Sequence, residues 1–123
     1  MYRSLMQVYV RGSAQALALY QKAFGGELAA AYANPDGSLM HSELDLGGQI
    51  LAVSEAARGA EPITGSTMQF CLHFGKGCEG RVRRAHDALK DGAMVLFPLG
   101  PCEYSPLMSD LIDRFGVRWC IFV

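Results

Sequence analysis

Leu39-Met40-His41-Ser42-Glu43-Leu44-Asp45-Leu46 alternates with a period of two, the signature of a strand whose two faces meet different surroundings. Met40, Ser42, Leu44 and Leu46 fall on one face, and Leu39, His41, Glu43 and Asp45 on the other. Side chains two apart on a strand point the same way, about 7 Å apart at ~3.3 Å rise per residue, so His41 and Glu43 can converge on one ligand or ion. A plain antiparallel strand with one wet face produces the same pattern. What favours a functional face is that other strands repeat the feature.

The chain has 123 residues, 50% hydrophobic and 19% charged, which is the composition of a globular protein. A chain of this length fits one domain and can bury enough surface without a stabilising metal or disulfide, so any metal present would serve function. The longest apolar run is far short of a membrane span. With net charge −1 and pI near 6.3 there is no electrostatic footprint for nucleic acid. Arg81, Arg83 and Arg84 sit at helical spacing beside Glu79 and Asp87 and read as a solvated helix face. The opening Met1-Tyr2-Arg3-Ser4 runs into a strand-like segment with no apolar leader, so the expected location is the cytoplasm. Cys71, Cys78, Cys102 and Cys120 lack CxxC spacing and read as free thiols in a reducing compartment.

Taken in order, residues 5–10 read as a strand with Gln7 and Tyr9 on its polar face, and Ser13 as the N-cap of a helix running to Phe24 that Gly25-Gly26 ends. Residues 27–33 form a second strand and Asn34-Pro35-Asp36-Gly37 a turn into the central stretch; Gly47-Gly48 then leads to a strand over 49–55. Residues 56–66 read as a linker. The order then repeats: a strand over 67–74 with Gln69, Cys71 and His73 on one face, a helix over 79–90, and a strand over 94–97 broken by Pro98, Gly100 and Pro101. A less defined strand lies within 103–112, and Asp113-Arg114-Phe115-Gly116 turns the chain into a last strand over 117–123. The repeated order predicts a duplicated module, 1–62 and 63–123, within one domain spanning 1–123. If the helices cover the apolar strand faces, the polar faces are left to line a cleft.

Three stretches in this order carry a resemblance: Ala18-Leu19-Tyr20-Gln21-Lys22-Ala23-Phe24-Gly25-Gly26-Glu27; Met40 to Leu44 with Gly47-Gly48 and Val53-Ser54-Glu55; and Asp113-Arg114-Phe115-Gly116-Val117-Arg118-Trp119. Over nearly its whole length the chain resembles the vicinal oxygen chelate superfamily, which groups glyoxalases, bleomycin resistance proteins and extradiol dioxygenases, and within it the PhnB-like proteins. The resemblance implies an α+β fold of two paired β-α-β-β-β modules forming a curved sheet around a cleft, often a divalent metal, and often a homodimer. Carried over position by position, it nominates His41, Gln69 and Cys120 as metal ligands, with Gln7 or Glu43 in reserve and Leu5 in place of Gln7 if the first strand slips by two. Gln69 stands where a metal enzyme of the superfamily usually has His, and Cys120 where it usually has Glu. A thiolate beside one imidazole favours zinc.

Each nominee has a structural alternative: Cys120 as a small buried hydrophobe, Gln69 as a hydrogen-bonding group, Trp119 as core. His73 and His86 read as surface residues. Two function classes follow. The first is a glyoxalase- or dioxygenase-like enzyme in which a metal holds vicinal oxygens of a small substrate and Glu43 or His41 is the general base. The second is a non-catalytic protein of the bleomycin-resistance type that sequesters a small molecule through Gln7, Tyr9, Gln69 and Trp119. Ligand count separates them, and His41 is the one strong ligand in place. Proteins of this kind are sometimes labelled ubiquinone-pathway methyltransferases, but no glycine-rich nucleotide loop follows a strand here. Among the thiols, Cys71 and Cys120 are expected reduced, with Cys120 responding to what occupies the cleft.

Overall fold

A computed structural model describes residues 1–59 and 61–123, so the predicted linker at 56–66 lies partly outside the described residues. The chain divides into two compact units, Met1–Ile63 and Thr64–Val123.

The first unit runs β1 (Met6–Val10), α1 (Ser13–Phe24), β2 (Glu27–Ala33), β3 (Leu39–Asp45) and β4 (Ile50–Glu55). Its four strands form one mixed sheet in the order β1-β4-β3-β2, with β1 parallel to β4 and the other pairs antiparallel. Alternation then decides which side is covered. Val8, Val10, Leu44, Leu51 and Val53 are all buried, and α1 packs on β1, β3 and β4 with Leu19, Tyr20 and Phe24.

Two details of this unit differ from the sequence reading. Ser13 is not the N-cap: Gly12 holds that place in a left-handed conformation, and the capping oxygen comes from β4. The Glu55 carboxylate accepts from the Gly12 and Ser13 backbone N–H groups at 3.2 and 2.9 Å and from the Ser13 hydroxyl at 2.8 Å. That hydroxyl in turn accepts from the Leu39 N–H at 2.8 Å, which ties the start of α1 to two strands. The second difference is at the head of β3. A bulge sets both Leu39 and Met40 against β2 between the Tyr32–His41 and Ala33–Leu39 pairings, so the predicted alternation slips. Leu39 is buried and Met40 is exposed, the reverse of the expected facing, while His41 to Asp45 keep theirs. At the other end Gly26, at φ +89°, has no room for a side chain, because a Cβ would meet the Asp45 carbonyl oxygen at 2.5 Å.

The second unit repeats the order with β5 (Phe70–His73), α2 (Glu79–Leu89), β6 (Met94–Cys102), β7 (Ser105–Ile112) and β8 (Arg118–Phe122). The sheet order is β5-β8-β7-β6, again with the first and last strands parallel. Val82, Ala85 and Leu89 of α2 pack on β7 and β8. The expected break at Pro98 does not end β6, which continues through both prolines for nine residues. The reason is position: β6 is the outer strand, paired only with β7 and with repeated register shifts, and an edge tolerates a missing N–H donor. β5 is shorter than expected and leaves Gln69 just before its start. Asp113 fixes the turn into β8, its Oδ1 accepting from the Phe115 and Val117 N–H groups at 2.9 and 3.0 Å. No helix among the described residues is long and apolar enough to cross a membrane.

Candidate functional site

On the side of the first sheet away from α1, one row of cross-strand partners reads Gln7, Ala52, Glu43 and Ala30. Tyr9 pairs with Ser54, and Tyr32 with His41, in the neighbouring register on the same face. His41 and Glu43 meet as their spacing requires: the His41 Nε2 lies 2.9 Å from Glu43 Oε1. No local pattern points to the third member. Arg3, forty positions away, lays its guanidinium on the same carboxylate in a two-pronged pair, with Nη1 donating to Oε2 at 2.9 Å and Nη2 to Oε1 at 2.8 Å. Both Glu43 oxygens are therefore engaged. Hydrogen bonds from Arg3 and then from His41 hold the Glu43 carboxyl far below its ordinary value, at about 2. Around this cluster Tyr9 and Tyr32 are 64% and 56% exposed. The Gln7 amide N–H groups turn back on the sheet, donating to the Val8 carbonyl at 3.0 Å and to the Ser54 hydroxyl at 3.1 Å.

Because Glu43 ionises more readily folded than unfolded, its contribution to stability is fully present above the usual carboxylate value of 4.5 and is lost as pH falls toward about 2. Wild type and Glu43→Gln should then differ in unfolding free energy by a constant amount above about pH 5, and the difference should shrink through the acid range. Urea titrations at a series of pH values measure this. A difference that does not vary with pH would contradict the pairing.

The second sheet carries the corresponding face, with a row of Cys71, Cys120, Asp110 and Phe97. Here too an arginine neutralises the carboxylate of the third strand, Arg118 Nε and Nη2 donating to the two Asp110 oxygens at 3.1 and 2.8 Å. Cys120 is buried, with the Tyr104 hydroxyl 3.8 Å from its sulfur; burial first of all pushes its thiol upward, so it is protonated at neutral pH. Tyr104 is itself pushed up to about 12, chiefly by its hydrogen bond with Cys120. Cys71 is exposed and its thiol lies 3.6 Å from the Gln69 Oε1. His73 stacks on Phe122, centroids 4.6 Å apart.

Trp119, nominated as a substrate contact, is instead fully buried on the α2 side, its ring against Phe70 and its Nε1 donating to Asp113 Oδ2 at 2.9 Å. Neighbours on a strand face opposite ways, so Trp119 could not share a face with Cys120. His86 is likewise no surface residue: it is half-buried, its Nδ1 2.8 Å from the hydroxyl of the fully buried Ser109, and burial pushes its pKa down. Glu43 is a poor general base, since a carboxyl at about 2 has little affinity for a proton at neutral pH.

His41 belongs to the first unit and Gln69 and Cys120 to the second. The His41 Nε2 faces Glu43, Glu43 is filled by Arg3, and Cys120 keeps its proton. Among the described residues no group of three or more His, Cys, Asp and Glu side chains is placed to hold a metal ion. These residues do not fit a His/Glu metal centre, and nothing in them favours zinc. A pocket of about 400 Å³ opens elsewhere, at the start of α1 between Arg11, Asp36, Glu55 and Arg58. Its carboxylates serve the fold: Glu55 caps α1, and Asp36 accepts from the Ser38 N–H and hydroxyl at 2.9 and 2.6 Å.

No family model matches the sequence, and no curated protein matches it. Solved structures do match. A Pseudomonas aeruginosa protein, PA1353, is 23% identical over 99% of this chain and 97% of its own, with a TM-score of 0.82. A PhnB protein from Bacillus cereus, also described as a 3-demethylubiquinone-9 3-methyltransferase, is 19% identical over 98% of both chains, TM-score 0.79. A point mutant of the FosX fosfomycin resistance protein from Listeria monocytogenes, complexed with Mn(II) and 1S,2S-dihydroxypropylphosphonic acid, is 13% identical over 99% of this chain and 90% of its own, TM-score 0.65. The chain shares with these structures the β-α-β-β-β modular glyoxalase/bleomycin resistance fold.

Proposed function

We propose that this chain, on the vicinal oxygen chelate fold, binds a small molecule without a resident metal, through the polar face of its first unit. The observation that carries the reading is the Arg3–Glu43–His41 cluster, in which the one carboxylate of the central row is neutralised by its own protein. A ligand meeting this face finds Tyr9, Tyr32 and the outer edge of His41, aromatic surfaces with polar tips, which suit a small molecule offering rings and hydrogen-bonding groups. The rival reading, a metal-dependent enzyme of the glyoxalase or dioxygenase kind, needs free donors and a base titrating near neutrality. Glu43 supplies neither.

A thermal-shift screen against small metabolites in the presence of EDTA tests this. At least one compound should stabilise the wild type with EDTA present and bind roughly tenfold more weakly to Tyr9→Ala and His41→Ala, about 1.4 kcal/mol. Ligands that stabilise only when a divalent metal is added would overturn the reading. A cytoplasmic homodimer belongs to the same proposal. Four free thiols suit a reducing compartment, and the outer strands β2 and β6 expose Leu28, Tyr32, Leu96 and Phe97 along edges that invite a second copy. Sedimentation equilibrium at micromolar concentration should give twice the chain mass, and the monomer mass would refute the dimer.

A further inference from the structure

Two of the four cysteines, distant in sequence, meet on one face of the second sheet. Cys71 on β5 and Cys120 on β8 are direct partners across a parallel ladder, so their side chains leave the sheet on the same side. The Tyr104 hydroxyl lies 3.8 Å from the Cys120 sulfur. The two partnered thiols differ in access: Cys71 is exposed, while Cys120 is buried. The Arg118 guanidinium, paired with Asp110, is near enough to interact with both sulfurs. Neighbouring strands lie ~4.8 Å apart, at the short end of the Cα separations a disulfide spans.

We infer that Cys71 and Cys120 form a reversible dithiol pair that exchanges with small disulfides of the oxidised-glutathione class, Cys71 as the entry thiol and Cys120 as the resolving one. The Cys71 thiolate attacks one sulfur of the small disulfide, forming a mixed disulfide and releasing one small thiolate. The Cys120 sulfur then attacks the Cys71 sulfur, its proton passing to the second small thiolate as that leaves. Two protein thiols are oxidised to one disulfide and one small disulfide is reduced to two thiols, so electrons and protons balance. Side chains standing parallel on adjacent strands must twist toward each other to close the bridge, so the bond is strained. Strained disulfides are readily reduced, which suits a reversible modification rather than a structural staple.

The test is to incubate the native protein with oxidised glutathione and read intact mass, free thiols and disulfide-linked peptides. Wild type should lose two thiols, carry no lasting glutathione, yield a Cys71–Cys120 peptide pair and recover fully with dithiothreitol. Cys120→Ser should stop at a stable glutathione adduct on Cys71, and Cys71→Ser should lose no Cys120 thiol on the same time scale. Cys120→Ala, which keeps the site apolar, guards against a folding defect in the serine variant and should trap the same adduct. A lasting adduct on wild-type Cys71 would overturn the proposal, as would a Cys71–Cys102 pair or modification of all four cysteines at one rate.

Discussion

Trp119→Ala should destabilise the protein by about 3–5 kcal/mol, the range for removing a large aromatic side chain from a core. Trp119 is fully buried, packs on Phe70, and gives its indole N–H to Asp113, itself nearly inaccessible. Truncation thus opens a cavity and leaves a buried carboxylate oxygen without that donor. Trp119→Phe keeps most of the ring and should cost about 1–2 kcal/mol, chiefly the hydrogen bond. Urea unfolding measures both, with a lower midpoint and an unchanged slope expected. If Trp119→Ala were as stable as wild type but impaired in ligand binding, the tryptophan would belong to a site after all.

Glu55→Ala should cost about 2–3 kcal/mol, more than an ordinary cap substitution. Three donors lose their acceptor at once: two backbone N–H groups at the start of α1 and the fully buried Ser13 hydroxyl, which also holds the Leu39 N–H. Glu55→Gln keeps an oxygen in place and should lose less than half as much. Chiefly the hydrogen bond from the Ser13 backbone N–H holds the Glu55 carboxyl below its ordinary value, so the advantage of Glu over Gln should fade as acid protonates the carboxylate. A cost under about 0.5 kcal/mol for Glu55→Ala would mean that water caps the helix equally well.

Local patterns in the chain carried much of this structure. The span of α1 from Ser13 to Phe24, β2 from Glu27 to Ala33 and the His41–Glu43 contact follow from periodicities that neighbouring residues decide among themselves. Elsewhere tertiary partners override the local pattern. Ser13 has a cap's chemistry, yet Glu55 from a distant strand takes the role. Pro98 and Pro101 break an interior strand but not an outer one, and which strand is outermost depends on pairing. Trp119 was open to correction from the sequence, since the alternation that puts Cys120 on the polar face puts Trp119 on the other. Arg3 carried no local signal at all, and it changes the chemistry of the site most: without it, Glu43 beside His41 looks like half of a metal centre or a base.

Metal stoichiometry shows whether that cluster is closed to a metal. Wild type and His41→Ala, purified without chelator and dialysed against zinc, manganese, iron and nickel in turn, are analysed for bound metal per chain. Well under one ion per chain is expected in both proteins, with no difference between them. One ion per wild-type chain, lost in His41→Ala, would contradict it.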